Sequence, residues 1–91
     1  MLRITENLEN NTAVRVRLDG TISQEAAHEL AALCARHQSA GKQTIIVDMA
    51  GVSFMSHEAA QNLASMRTES LRLINCSPFI ATLLDNAKNS D

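Results

Sequence analysis

The sequence predicts an α/β fold: a small mixed β-sheet packed with three helices, in the order β-β-α-β-α-β-α. Three observations lead there. The opening residues alternate apolar and polar at a period of two, as half-buried strands do. Thr44-Ile45-Ile46-Val47 is continuously apolar or β-branched, the pattern of a central parallel strand. Between and after these lie segments whose apolar residues recur at helical spacing, and strands that alternate with helices define a layered α/β architecture.

The first strand is expected at Leu2-Arg3-Ile4-Thr5, followed by a turn-rich stretch from Glu6 to Asn11. Ala13 to Leu18 alternates cleanly, with Val14, Val16 and Leu18 on one side and Arg15 and Arg17 on the other. Two strands joined by a short polar turn predict a hairpin. The arginines predict one wet face, as in an antiparallel or edge strand. Asp19-Gly20 reads as the end of this strand. A helix then begins near Ser23, whose hydroxyl caps the first turn. Glu25 complements the helix dipole there, and Ile22 is placed to staple onto Ala27. Ala26, Ala27, Leu30, Leu33, Cys34 and His37 follow helical spacing, and Gly41 is the stop.

Gln43–Met49 is the next strand, expected to be covered on both faces. A short loop leads into a short helix after Ser56, lined by Ala59, Ala60, Leu63, Ala64 and Met66. Leu71-Arg72-Leu73-Ile74 is a further parallel strand. Ser77-Pro78 opens the last helix, with serine as N-cap and proline at the first helical position. Its apolar stripe is Ile80, Leu83, Leu84 and Ala87. Lys88 to Asp91 reads as a frayed polar tail.

The chain has 91 residues, which suits one domain spanning 1–91. A chain this short buries roughly 60–65% of its unfolded surface, so the core is small. With two Phe and no Tyr or Trp, that core is built from Leu, Ile, Val, Ala and Met. The net charge is −2, and no basic cluster is present to track a phosphate backbone, which argues against direct nucleic-acid binding. No apolar run approaches the roughly 18 residues of a membrane span. The charged, alternating N-terminus is no signal peptide, so the expected location is the cytoplasm. Cys34 and Cys76 lack CxxC spacing and read as two reduced thiols serving as small hydrophobes. No cofactor or metal is expected, because a zinc site needs more ligands than the sequence gathers.

The stretch from Ile45 to Ala60 resembles the central signature of the anti-sigma factor antagonist family, the STAS domain. In that family a strand ending in Asp-Leu leads through Gly-Val-x-Phe-(Met/Ile) into Asp-Ser-(Ser/Thr)-Gly-Leu. Asp48, Gly51, Val52, Phe54 and Met55 fit the lead-in, and the positions that follow are Ser56, His57, Glu58 and Ala59. Val16 to Ser23 resembles the family's Leu-x-Gly-(Glu/x)-Leu-Asp element. Leu71 to Pro78 resembles its (Leu/Val)-x-(Leu/Val)-(Val/Ile)-x-x-Ser-Pro element. The three elements fall in the family's order and spacing, and the resemblance extends over nearly the whole chain.

The resemblance implies a STAS-like domain that is not an enzyme and acts by stoichiometric binding of an anti-sigma factor or related signalling kinase. In the family, phosphate on the serine at the helix start blocks that capture by adding charge at the interface. Here the acceptor serine aligns with His57, and the two aspartates flanking the switch align with Ser23 and Ser56. The implied partner-binding region is therefore Ser23, Ser56, His57 and Glu58, without the usual serine switch.

Each of these residues carries a plainer reading as well. Ser56 is a candidate displaced phosphoacceptor, one residue early, and equally an ordinary N-cap. His57 is a partner contact, an exposed neutral residue at the positive end of a helix dipole, or a phosphohistidine site. Glu58 either complements that dipole or mimics the phosphorylated state. Ser56-His57-Glu58 is not a catalytic relay, because consecutive helical residues fan about 100° apart. No glycine-rich phosphate loop follows any strand. The alternative function is a degenerate structural subunit of a larger complex, stressosome-like or transporter-associated.

Overall fold

In the computed structural model, which describes residues 2–89, the hairpin forms and is longer than its alternation suggests. Strand β1 (Leu2–Leu8) pairs antiparallel with β2 (Ala13–Ile22), from Leu2 opposite Gly20 to Leu8 opposite Val14. The expected turn shrinks accordingly, because Glu6 to Leu8 join the ladder. Asn10 closes it: its Oδ1 accepts from the Thr12 backbone N–H at 2.8 Å and from the Thr12 hydroxyl at 3.0 Å. This is the usual asparagine turn chemistry.

The element order is as predicted: α1 (Gln24–Ser39), β3 (Thr44–Met55), α2 (His57–Met66), β4 (Leu71–Ile74) and α3 (Pro78–Asn89) follow. The sheet order is β1-β2-β3-β4, with β2–β3 and β3–β4 parallel. Val14, Val16, Leu18, Ile45, Val47 and Met49 are buried on one face of this sheet. Leu30 of α1, Leu63 of α2, and Ile80 and Leu84 of α3 complete that core. Each such aliphatic side chain contributes about 1.5–3 kcal/mol relative to exposure.

Three expectations are corrected. Asp19-Gly20 does not end β2; the strand continues to Ile22 through two register shifts, between Arg17 and Asp19 and between Gly20 and Thr21. The strand has partners on both sides, so the irregularity is absorbed as a bulge, and Gly20 supplies the φ of 112° it needs. The loop expected after Met49 is strand instead, because Gly51 to Met55 pair with Asp19 to Ile22. Strand β3 is covered on one face only. Ile46 is half-buried on the open face, in register with Arg15 and Arg72, so an apolar run does not by itself demonstrate burial on both sides. Helix α3 runs to Asn89, and residues 90 and 91 of the expected polar tail lie outside the described residues.

Candidate functional site

Parallel strands deliver their C-terminal ends to one edge of a sheet, so the helices that follow begin side by side. Ile22 and Met55, the last residues of β2 and β3, are register partners. The next residue of each strand is a serine, and both are extended N-caps. Ser23 Oγ accepts from the Ala26 N–H at 3.2 Å, and Ser56 Oγ accepts from the Ala59 N–H at 3.1 Å. The Ser56 N–H donates to the Ile22 carbonyl at 3.0 Å, which ties the start of α2 to the end of β2. Helix α3 starts in the same way, with Ser77 Oγ accepting from the Ile80 N–H at 3.3 Å.

The structure therefore brings Ser23, Ser56, His57 and Glu58 to one edge of the sheet. His57 and Glu58 are exposed in the first turn of α2, Ser23 is exposed, and Ser56 is half-buried. His57 Nε2 lies 3.3 Å from the Gln61 side-chain amide one turn further on, so the imidazole is braced along the helix.

Two aromatic side chains stand at this edge. Phe54, two residues before Ser56, stacks on Phe79 at the start of α3, with ring centroids 6.3 Å apart and planes at 27°. They are the only aromatic residues in the chain, and they are 50% and 52% exposed. In the sequence Phe54 is marked only as a motif position, and Phe79 belongs to no motif. The available signal was that Phe79 falls off the stripe Ile80, Leu83, Leu84 and Ala87.

The motif residues behind the site do structural work. Asp48 is only 7% exposed. Its Oδ1 accepts from the Ala50 N–H at 3.0 Å and from the Asn75 amide at 3.1 Å, and its Oδ2 lies 3.8 Å from Arg15 Nη2. The Ala50 hydrogen bond is the main cause that holds this carboxyl below its usual range. Asn75, Arg15 and Arg17 act in the same direction, against the opposing effect of burial. Gly51 sits where β3 passes the Asp19 side chain. A Cβ there would collide with Asp19 Oδ1 and lie 2.9 Å from the Leu18 carbonyl. Ser53 fastens the same segment, its hydroxyl donating to the Gly20 carbonyl at 3.3 Å.

Both cysteines are free, and burial raises the Cys34 thiol to about 11 and shifts Cys76 upward as well. Among the described residues no group of three or more His, Cys, Asp or Glu is placed to hold a metal, and no helix is long and apolar enough to cross a membrane.

A mixed four-stranded sheet with one face backed by three helices, their starts gathered along one edge, defines a small α/β domain. The STAS domain matches residues 5–91, and the chain belongs to that family. Among solved structures it is similar to the anti-sigma factor antagonist SpoIIAA in its unphosphorylated form. The TM-score is 0.69 at 22% identity, covering 91% of this chain and 82% of the other. It is also similar to the Bacillus cell fate determinant SpoIIAA in the phosphorylated form, with a TM-score of 0.63 at 17% identity, covering 93% of this chain and 83% of the other. No curated protein matches.

Proposed function

We propose that the chain is a non-enzymatic regulatory module of the cytoplasm that binds a protein partner stoichiometrically. The partner class is an anti-sigma factor or a related signalling kinase, as the anti-sigma factor antagonist named among the similar structures suggests. Binding occurs at the edge formed by Ser23, Ser56, His57 and Glu58, and it proceeds without a serine phospho-switch. The observation that supports this reading is the pairing of Ile22 with Met55, which places two capped helix starts next to each other and leaves His57 and Glu58 exposed beside them. His57 stands where the family's acceptor serine falls. Ser56 Oγ is engaged as the cap of α2, which favours its reading as an N-cap over a displaced acceptor.

A pull-down from native lysate tests this, with mass spectrometry of the captured proteins and of the bait. The expected result is a kinase-type or sigma-regulating partner, recovered in stoichiometric amount, with bait that carries no phosphate. Phosphate on Ser56 or His57 would overturn the absence of a switch. Recovery of transporter or scaffold subunits alone would overturn the partner class.

A further inference from the structure

We propose that the stacked pair Phe54–Phe79 is the anchor of this interface, and that its partner presents an apolar pocket rimmed by lysine or arginine. The proposal rests on the reading of this edge as a protein-binding surface and names the chemistry of what binds there.

The first ground is the placement of the two rings. A small chain short of aromatic residues gains most by burying those it has, yet both are half-exposed, and each covers part of the other. Aromatic side chains held rigid at a protein surface are the usual anchors of binding interfaces. The pair is also fixed at both ends of its support. Phe54 lies in the paired end of β3, opposite Thr21, and Phe79 lies in the first turn of α3 behind the Ser77 cap.

The second ground is charge. Three passes of the chain build this edge, and none contains a Lys or Arg from Leu18 to Ala35, from Gln43 to Met66, or from Leu73 to Ala87. Glu25 and Glu58, in the first turns of α1 and α2, are exposed and make no ion pair among the described residues. Arg17, on the adjoining sheet face, is already engaged by Asp19 at 3.3 Å. The edge that carries the aromatic pair thus holds exposed acidic side chains and no Lys or Arg. A second copy of the chain would bring two such edges together, and like charges across an interface are unfavourable. A basic rim on a different protein is complementary.

The test uses two short amphipathic peptides with the same leucine stripe, one flanked by lysines and the other by glutamates, titrated into the isotope-labelled chain. The lysine peptide is expected to shift the resonances of Phe54, His57 and Phe79. Its affinity should fall about tenfold in Phe79→Ser and by a similar factor in the Glu25→Lys/Glu58→Lys double variant, whose changes lie on exposed positions. Raised salt should weaken it further. Equal binding of the glutamate peptide, shifts confined to another surface, or concentration-dependent shifts without peptide would each overturn the proposal. The pull-down is independent of this titration. A captured anti-sigma factor whose binding ignores Phe79→Ser would overturn the anchor while leaving the proposed function standing.

Discussion

Asn75 donates its side-chain amide to Asp48 Oδ1 at 3.1 Å, and in doing so joins the centre of β3 to the turn that launches α3. Asn75 has a φ of 58°, a conformation asparagine tolerates better than other side-chain-bearing residues. Two substitutions separate its roles. Asn75→Gly keeps the backbone and loses the bond to a buried carboxylate, at a cost of about 1–2 kcal/mol. Asn75→Ala loses the bond and adds left-handed strain, for about 1 kcal/mol more. Urea denaturation at neutral pH reads both, and equal losses would show that the backbone conformation plays no part.

The depressed Asp48 carboxyl predicts an acid-sensitive component of stability. The folded state holds the group below the ordinary value of 3.8, so between these values the unfolded chain binds a proton that the folded chain does not. The stabilisation is present in full above about pH 4 and is lost as pH falls through the folded value. Asp48→Asn should therefore be less stable than wild type at pH 7 and should show a shallower acid limb. Parallel acid limbs in the two proteins would remove Asp48 from the account.

The fold was legible wherever one physical signal dominated. Alternation in Val14-Arg15-Val16-Arg17-Leu18 gave the core face of β2, and Ser23, Ser56 and Ser77 marked all three helix starts as caps. The failures fall where tertiary pairing overrides local propensity. Asp19-Gly20 reads as a strand end and the stretch after Met49 as a loop, but Asp19 to Ile22 pair with Gly51 to Met55, and pairing prevails over turn chemistry. The adjacency of Ser23 and Ser56 followed from the family resemblance, not from their spacing, since only the register of Ile22 with Met55 brings them together. The Phe54–Phe79 stack had no sequence signal beyond an apolar residue off a helical stripe.

Gly51 illustrates a motif position explained by close approach. Gly51→Ala should cost roughly 1–3 kcal/mol, as overpacking does. The Cβ would meet both the Asp19 carboxyl and the Leu18 carbonyl. Asp19→Ala in the same chain removes the first collision and leaves the second. A double-mutant cycle in thermal or chemical denaturation should accordingly show partial rescue. Additive losses would mean that the Asp19 side chain already swings clear.

The capping serines provide a stability test that is separable from binding. Ser23→Ala and Ser56→Ala each remove one acceptor for a helix N–H and should each cost about 1 kcal/mol. If Ser56 serves only as a cap, the Ser56→Ala protein, once folded, should capture its partner as wild type does. A binding loss larger than its stability loss explains would make the Ser56 hydroxyl itself a contact, beyond its place at the binding edge.

Glu58 distinguishes two opposed accounts of the α2 start. As a fixed mimic of a phosphorylated residue it would hold the protein in a released state, and Glu58→Ser would strengthen partner binding. As one of the exposed acidic side chains on the edge that carries Phe54 and Phe79 it would attract a basic partner, and Glu58→Ser would weaken binding. The absence of Lys and Arg from every chain segment that builds this edge favours the second account, because a lone carboxylate meant to repel would not need an uncontested acidic surround. Removing one exposed charge should weaken binding about two- to fivefold at low salt, with the difference fading as salt rises. Calorimetric titration of the captured partner into wild type and Glu58→Ser at two ionic strengths gives the sign directly. Tighter binding by the serine variant would favour the phosphate mimic and count against the acidic edge.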